Sequence, residues 1–308
     1  MKAIVVAPRA PGGIELRDVP EPDPPHDHAV VEVRAVSLNR GECVALRTAE
    51  DGWRPGWDLA GVVRTRAADG SGPAVGSRVV GWANGGAWAE LVAVRTDHLA
   101  EIPASVSFET ASTLPVAGLT AVGVLSVTGS LLGERVAVTG AAGGVGRFAI
   151  QLAHMAGAHV TAVVGTPERA EGLRELGVDE VVIGLSPEGE PFDLIVESAG
   201  GASLTAAVAR VAPRGVIVSF GNSSGEPVTF DPRALYRKGG PSILGFFVTQ
   251  ELLEGRVGSP QLAALASLVA DGRLRSWIDL QAPWTEAARA IDDLLHRHVK
   301  GKAVLTVG

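Results

Sequence analysis

Apolar positions along the chain fall into two regimes. Up to about residue 117 they come in short runs, at 2–7, 14–18, 28–37, 59–67, 77–82 and 88–94, separated by Pro, Gly and Asp clusters such as 20–27 and 69–76. Short runs between turn formers predict strands. From residue 135 the pattern changes. Largely apolar runs at 136–138, 159–164, 181–183, 193–197 and 215–221 predict strands buried on both faces of a parallel sheet. Between them Val145, Phe148, Ala149, Leu152 and Ala153 share one face of a helix, and 202–211 reads as another. The tail predicts helices over 260–271 and 285–296, a short apolar stretch at 277–280 and a last strand at 303–307. Strands first and alternating strands and helices afterwards predict a mostly-β domain beside an α/β domain. No internal repeat is present.

The turn at the start of the second regime is the richest stretch. Arg-Val-Ala-Val-Thr-Gly-Ala-Ala-Gly-Gly-Val-Gly (135–146) gives a buried strand, a glycine cluster and a helix in immediate succession. Set against G-x-G-x-x-G, the turn supplies Ala141-x-Gly143-x-x-Gly146, with alanine at the first position. Gly143 and Gly144 let the main chain approach a pyrophosphate, Gly146 lets helix and strand pack closely, and the amides around Ala142–Val145 would hold the anion at the helix N-terminus. The plain alternative is a glycine turn with no ligand.

About 20 residues further, where NAD-specific folds carry an acid for the ribose hydroxyl, stand Gly165 and Thr166, with Arg169 nearby. A guanidinium there suits a 2′-phosphate and points to NADPH. Alternatively, Arg169 is a solvated charge in the first turn of a helix capped by Thr166. Strand exits at Ser198–Gly201 and Gly221–Asn222 lie where ligands of parallel sheets bind, or serve only as exits.

Composition narrows the classes. A chain of 308 residues, 46% hydrophobic and 20% charged, is long enough for two domains. Its formal charge of −7 argues against nucleic acid or an anionic membrane as partner. No apolar stretch approaches the ~20 residues of a membrane helix, and the start reads as a strand, not a leader, so a cytoplasmic location is expected. The single cysteine, Cys43, excludes an internal disulfide framework.

The run 138–153 resembles the medium-chain dehydrogenase/reductase superfamily, in its zinc-free quinone oxidoreductase and enoyl reductase branch. Collinear matches stand at 55–63 (Pro-Gly-Trp-Asp-Leu-Ala-Gly-Val-Val), 76–81, 114–121 and 301–305 (Gly-Lys-Ala-Val-Leu). The resemblance implies a Rossmann-type doubly wound domain over 118–258, inserted in a GroES-like mostly-β substrate domain made of 1–117 and 259–308. It also implies Thr120 at the cofactor, and a strand and loop at 241–248 whose Phe246 and Phe247 cover the nicotinamide and line the substrate cleft. The two rings cannot share one strand face, so one is expected in the core and one on ligand. Relatives pair the edge strand near 242–248 across a two-fold axis, which implies a homodimer.

Zinc ligands are missing from the matched positions. Asp58-Leu59-Ala60-Gly61 replaces the Gly-His-Glu of zinc relatives, and of seven histidines only His296 and His298 are close within a predicted helix, on what would be different faces. Without a metal the chemistry suits a conjugated carbonyl, whose β-carbon accepts hydride while charge moves to oxygen.

The family's Asn-x-x-Asp stretch maps onto Asn39 with Glu42 in place of Asp. Asn39 is expected to donate to the nicotinamide amide or the substrate oxygen, to cap a helix starting at Arg40, or both. Arg40 stands where some enoyl reductases have a proton-donating tyrosine, which leaves solvent as proton source. It stabilises an enolate, binds an acidic substrate, or is merely an exposed arginine. Trp53, Trp57, Trp82 and Trp88 suggest an aromatic-walled cleft, with at least half of them expected in the core. The expected activity is NADPH-dependent reduction of a quinone or enone. A polyketide-type enoyl reductase and a redox-inactive nucleotide-binding partner protein remain as alternatives.

Overall fold

The computed structural model describes residues 1–236 and 239–308. Two compact units emerge, Met1–Leu119 with Thr249–Gly308, and Thr120–Val248.

In the first unit β1 (Lys2–Val6) pairs antiparallel with β2 (Ile14–Asp18). The larger sheet is organised around β3 (His28–Leu38), whose odd-even alternation gives way to four buried residues, Ala35–Leu38, at its end. After it come α1 (Arg40–Ala45), β4 (Asp58–Thr65), β5 (Arg78–Trp82), β6 (Leu91–Arg95), β7 (Leu99–Glu101), α2 (Phe108–Ser112) and α3 (Pro115–Leu125), in which the first unit ends.

The second unit holds β8 (Arg135–Thr139), α4 (Gly144–Met155), β9 (His159–Val164), β10 (Glu180–Ile183), β11 (Phe192–Glu197), α5 (Gly201–Arg210), β12 (Val211–Ser219), α6 (Arg233–Tyr236) and β13 (Ser242–Gly245). The chain returns to the first unit through α7 (Val248–Leu253), α8 (Ser259–Ala270), β14 (Ile278–Pro283), α9 (Ala287–Leu295) and β15 (Lys302–Thr306).

The tail completes the first sheet, whose described order is β14-β15-β3-β4-β5-β7. Antiparallel β15 takes the second half of β3, with Ala303 opposite Leu38, while β6 takes the first half, with His28 opposite Arg95. Opposite Ser37 on the other side stands Asp58 of β4. Trp88, Ile4, Leu38, Leu59 and Leu99 are fully buried here, each side chain contributing roughly 1.5–3 kcal/mol of transfer free energy.

The second unit is a parallel sheet in the order β10-β9-β8-β11-β12-β13. Its strands are apolar on both faces, and all of them run the same way, so every carboxyl end lies along one edge. β13 is an edge strand, with Leu244 exposed.

Three local differences from the sequence pattern have physical causes. No α-helix follows β9. Two 3₁₀ turns, Pro167–Ala170 and Arg174–Leu176, stand there because Gly172 and Gly177 adopt φ of 70° and 89° and cannot continue a right-handed helix. Thr166 makes no side-chain cap to the first of these turns. At the other end of the chain α9 stops at Leu295, and Arg297 turns to φ 65°. His296 and His298 are therefore off the helix, and their rings stack at 6.1 Å instead of diverging. Among the described residues no helix is long and apolar enough to cross a membrane.

Candidate functional site

Along the carboxyl edge of the parallel sheet, the first turn is made at Gly140, not at position 141. Gly140 adopts φ 59°, and a Cβ there would meet Ser198 Oγ at 2.5 Å. Gly143 N–H donates to the Gly140 carbonyl at 2.9 Å, and α4 begins at the next residue. A Cβ on Gly146 would stand 2.5 Å from that same carbonyl oxygen and 2.7 Å from Ala141 Cα. The working spacing is thus Gly140-x-x-Gly143-x-x-Gly146. It was missed by fitting G-x-G-x-x-G one residue late, although all three glycines are plain in the sequence.

Gly143, at the N-cap of α4, has no side chain to cap the helix. The first-turn amides lack intrahelical acceptors, an arrangement suited to an anion, and Gly143, Gly144 and Val145 are partly accessible. Ala142 and Thr120 are buried.

The neighbouring strand exits frame this cradle. After β9, Gly165 and Thr166 are exposed, and a Cβ on Gly165 would meet no heavy atom within 4 Å. Arg169 lies half-buried in the 3₁₀ turn just beyond. After β11, Glu197 is wholly buried and accepts from Thr139 Oγ1 and from the Ala199 and Gly200 amides, which pins the loop carrying Ser198. Ser198 N–H and Oγ both bond Thr139. Gly221, after β12, runs against Ser198, while Asn222 spends its amide on its own loop, accepting from Gly225 N–H and Ser224 Oγ. After β13, the Phe246 ring lies on Gly123 of α3, where a Cβ would stand 2.2 Å from the ring. Phe247 is 62% exposed. Phe246 N–H still donates to the Ser219 carbonyl of β12 at 2.9 Å, so the ladder runs one residue past the end of β13 before Phe247.

In the first unit the residues around Asn39 form a buried polar cluster that sequence reasoning missed. Ser37 Oγ donates to Asp58 Oδ2 at 2.7 Å, and Asn39 Nδ2 donates to the same oxygen at 2.8 Å and to Glu42 Oε1 at 3.2 Å. Lys302 Nζ donates to Asn39 Oδ1 at 2.7 Å and to the Leu38 carbonyl at 3.1 Å, and lies 3.4 Å from Asp58 Oδ2. Asp58 Oδ1 accepts the Val116 N–H at 2.9 Å, in the first turn of α3, where the helix dipole favours an anion. Four donors therefore converge on Asp58. Glu42 accepts the Asn39 backbone N–H at 2.6 Å and holds the start of α1, for which Asn39 is the N-cap residue.

The second oxygen of Glu42, Oε2, is buried without a partner. Burial, and then the neighbouring Asp58, push the Glu42 carboxyl up to about 8. Burial likewise pushes the Cys43 thiol well up. The sequence hints of the cluster were the Asn39–Glu42 stretch and the motifs at 55–63 and 301–305, which contain Asp58 and Lys302.

This geometry corrects the expected donor role of Asn39. A carboxamide nitrogen has two hydrogens, and here both face carboxyl groups. What the side chain leaves open is the second lone pair of Oδ1. Arg40 is half-buried, with Nη1 donating to the Leu295 carbonyl at 3.0 Å at the end of α9. Burial lowers its pKa first, and the like charges of Arg297 and Arg47 add to this. Trp82 and Trp88 are buried in the core, Trp57 packs on Gly41, and Trp53 is 36% exposed. Tyr236 is exposed on α6.

Comparison with known proteins agrees with this architecture. A family model described as zinc-binding dehydrogenase matches residues 144–258. A quinone oxidoreductase of Pseudomonas aeruginosa is 30% identical over 325 residues, 96% of each chain. A spectinabilin polyketide synthase system protein of Streptomyces orinoci is 34% identical over 90% of this chain, which spans 13% of that protein. Among solved structures, the Escherichia coli quinone oxidoreductase complexed with NADPH superposes with a TM-score of 0.85 at 25% identity, over 99% of this chain and 100% of that one.

Proposed function

Since the chain belongs to the quinone oxidoreductase branch of the medium-chain dehydrogenase/reductase superfamily, we propose that it is an NADPH-dependent, metal-free reductase of quinones or α,β-unsaturated carbonyls. The observation that carries the reading is the start of α4, with no side-chain cap from its N-cap residue, behind a turn whose Gly140 and Gly146 leave no room for a Cβ. NADPH, when bound, supplies a hydride.

The chain's own residues do the rest. Amides of Gly144 and Val145, behind the turn closed by Gly143, hold the pyrophosphate, and open space at Gly165 with Arg169 nearby accommodates a 2′-phosphate. The exits at Ser198 and Gly221, with Phe246, bound the same edge. In the first unit Asn39 Oδ1 accepts from a carboxamide N–H and so orients the ring that carries the hydride. We assign pyrophosphate binding to the second unit, where Phe247 is an exposed aromatic, and substrate to the first, where Trp53 is one. The enolate formed on an enone takes its proton from solvent.

Zinc, which the family model's description implies, does not fit the donor set. The one cysteine is buried with its thiol held protonated, and among the described residues no three His, Cys, Asp or Glu side chains are grouped to hold an ion. The exposed edge at β13 supports a homodimer, which sedimentation would detect.

The test is NADPH oxidation followed with a panel of quinones, enones and enoyl thioesters, before and after exhaustive chelation. Turnover of quinones or enones that survives chelation supports the proposal. Turnover confined to enoyl thioesters favours the biosynthetic reading, to which the polyketide synthase likeness lends support. Tight NADPH binding with no turnover favours a structural role.

A further inference from the structure

We propose that Lys302 is the positioning residue of the Asn39 carboxamide, fixing which of its two ends is offered outward. An ammonium has three hydrogens and no acceptor, and those of Lys302 meet the Leu38 carbonyl, Asn39 Oδ1 and Asp58 Oδ2. The Asn39 atom at 2.7 Å must then be oxygen, because a flipped amide would set NH₂ against NH₃⁺. Its nitrogen is left to face Asp58 and Glu42.

Strand register delivers the lysine to that point. Lys302 opens β15, and its neighbour Ala303 pairs with Leu38, so Nζ reaches the last turn-out of β3, where Asn39 begins.

Stability alone does not account for this ion pair, since buried pairs replaced by apolar residues are often neutral or better. Access points to another reason. Ser37, Glu42, Asp58 and Lys302 are buried, and Asn39 alone among the five side chains is partly accessible. Whatever the cluster does for a ligand passes through the Asn39 amide.

The inference rests on the reading of Asn39 as the group that orients the cofactor, and its test separates the two. Lys302→Met alone would leave Asp58 buried and unpaired, so the informative comparison is Lys302→Met/Asp58→Asn against Asp58→Asn, which differ only in the lysine. Hydrogen exchange of the Asn39 side-chain amide, read by NMR on the protein without cofactor, reports its orientation directly. Loss of the lysine is expected to speed that exchange by about tenfold, the size of one hydrogen bond. kcat is expected to fall with KM for NADPH little changed. Unchanged exchange overturns the role of Lys302, whatever the kinetics. Faster exchange with unchanged kcat upholds it and overturns the functional reading of Asn39 instead.

Discussion

Glu42 and Asp58 share one hydrogen-bond donor: Asn39 Nδ2 lies 3.2 Å from Oε1 of the former and 2.8 Å from Oδ2 of the latter. With one ammonium among them, the buried group is neutral only if one carboxyl keeps its proton. Four donors serve Asp58, whereas Glu42 Oε2 has none, so the proton belongs on Glu42.

Stability should therefore fall as pH rises. The Glu42 carboxyl is pushed from its ordinary 4.5 to about 8, so the folded protein binds more protons than the unfolded chain across that window. Its contribution is complete below pH 4.5 and is lost towards pH 8, on the order of a few kcal/mol in all. Asp58, Lys302, Cys43 and Asn39 are the groups around it, and none is altered by Glu42→Gln, which keeps an acceptor for the Asn39 N–H. Thermal unfolding from pH 5 to 9 should show a flatter profile for the variant and a higher midpoint than wild type at the alkaline end. Parallel profiles would refute the assignment.

Much of this architecture was legible from run length and period. The split between short strands and alternating strands and helices appears as two units, and β8, α4 and β9 stand within a residue or two of their apolar patterns. The losses are local and explicable. β7 has only three residues, too few to show alternation. α3 is apolar almost all round, so it has no polar face from which to read a period. The cluster around Asn39 was invisible for a different reason. Its members come from positions 37, 39, 42, 58 and 302, and only the pairing of β15 and β4 with β3 brings them together. Register over 263 positions, the separation of Asn39 and Lys302, has no signature in a single sequence.

Gly146 provides a test of the cradle. The Cβ of Gly146→Ala would meet only backbone, at 2.5 and 2.7 Å, so α4 must move away from the Gly140 turn. Overpacking of this kind costs roughly 1–3 kcal/mol. NADPH affinity should fall with it, because the first-turn amides shift as a body. Thermal unfolding and fluorescence titration with NADPH check both, and Gly165→Ala, which has open space, serves as the neutral control for stability. A variant that binds NADPH as wild type does would mean the pyrophosphate is held elsewhere.

Cofactor choice turns on the exit of β9. Gly165 stands where NAD-specific folds carry an acid and has room for a side chain, and Glu168 and Arg169 follow in a 3₁₀ turn. If Arg169 pairs with the 2′-phosphate, Arg169→Ala should weaken NADPH by about 1–3 kcal/mol, the size of a hydrogen bond to a charged group, and leave NADH nearly untouched. Gly165→Asp tests the same surface from the opposite side. Its carboxylate would repel the 2′-phosphate and offer an acceptor to the free ribose hydroxyl, so NADPH should weaken while NADH tightens. The open space predicts little change in melting temperature, which keeps the binding result separate from folding. Titrating both cofactors against both variants at fixed ionic strength decides the matter, since salt screens an exposed pair. Equal losses of NADPH and NADH in Arg169→Ala would show that the arginine supports the loop and not the phosphate, and the preference for NADPH would then have to rest on other residues of that edge.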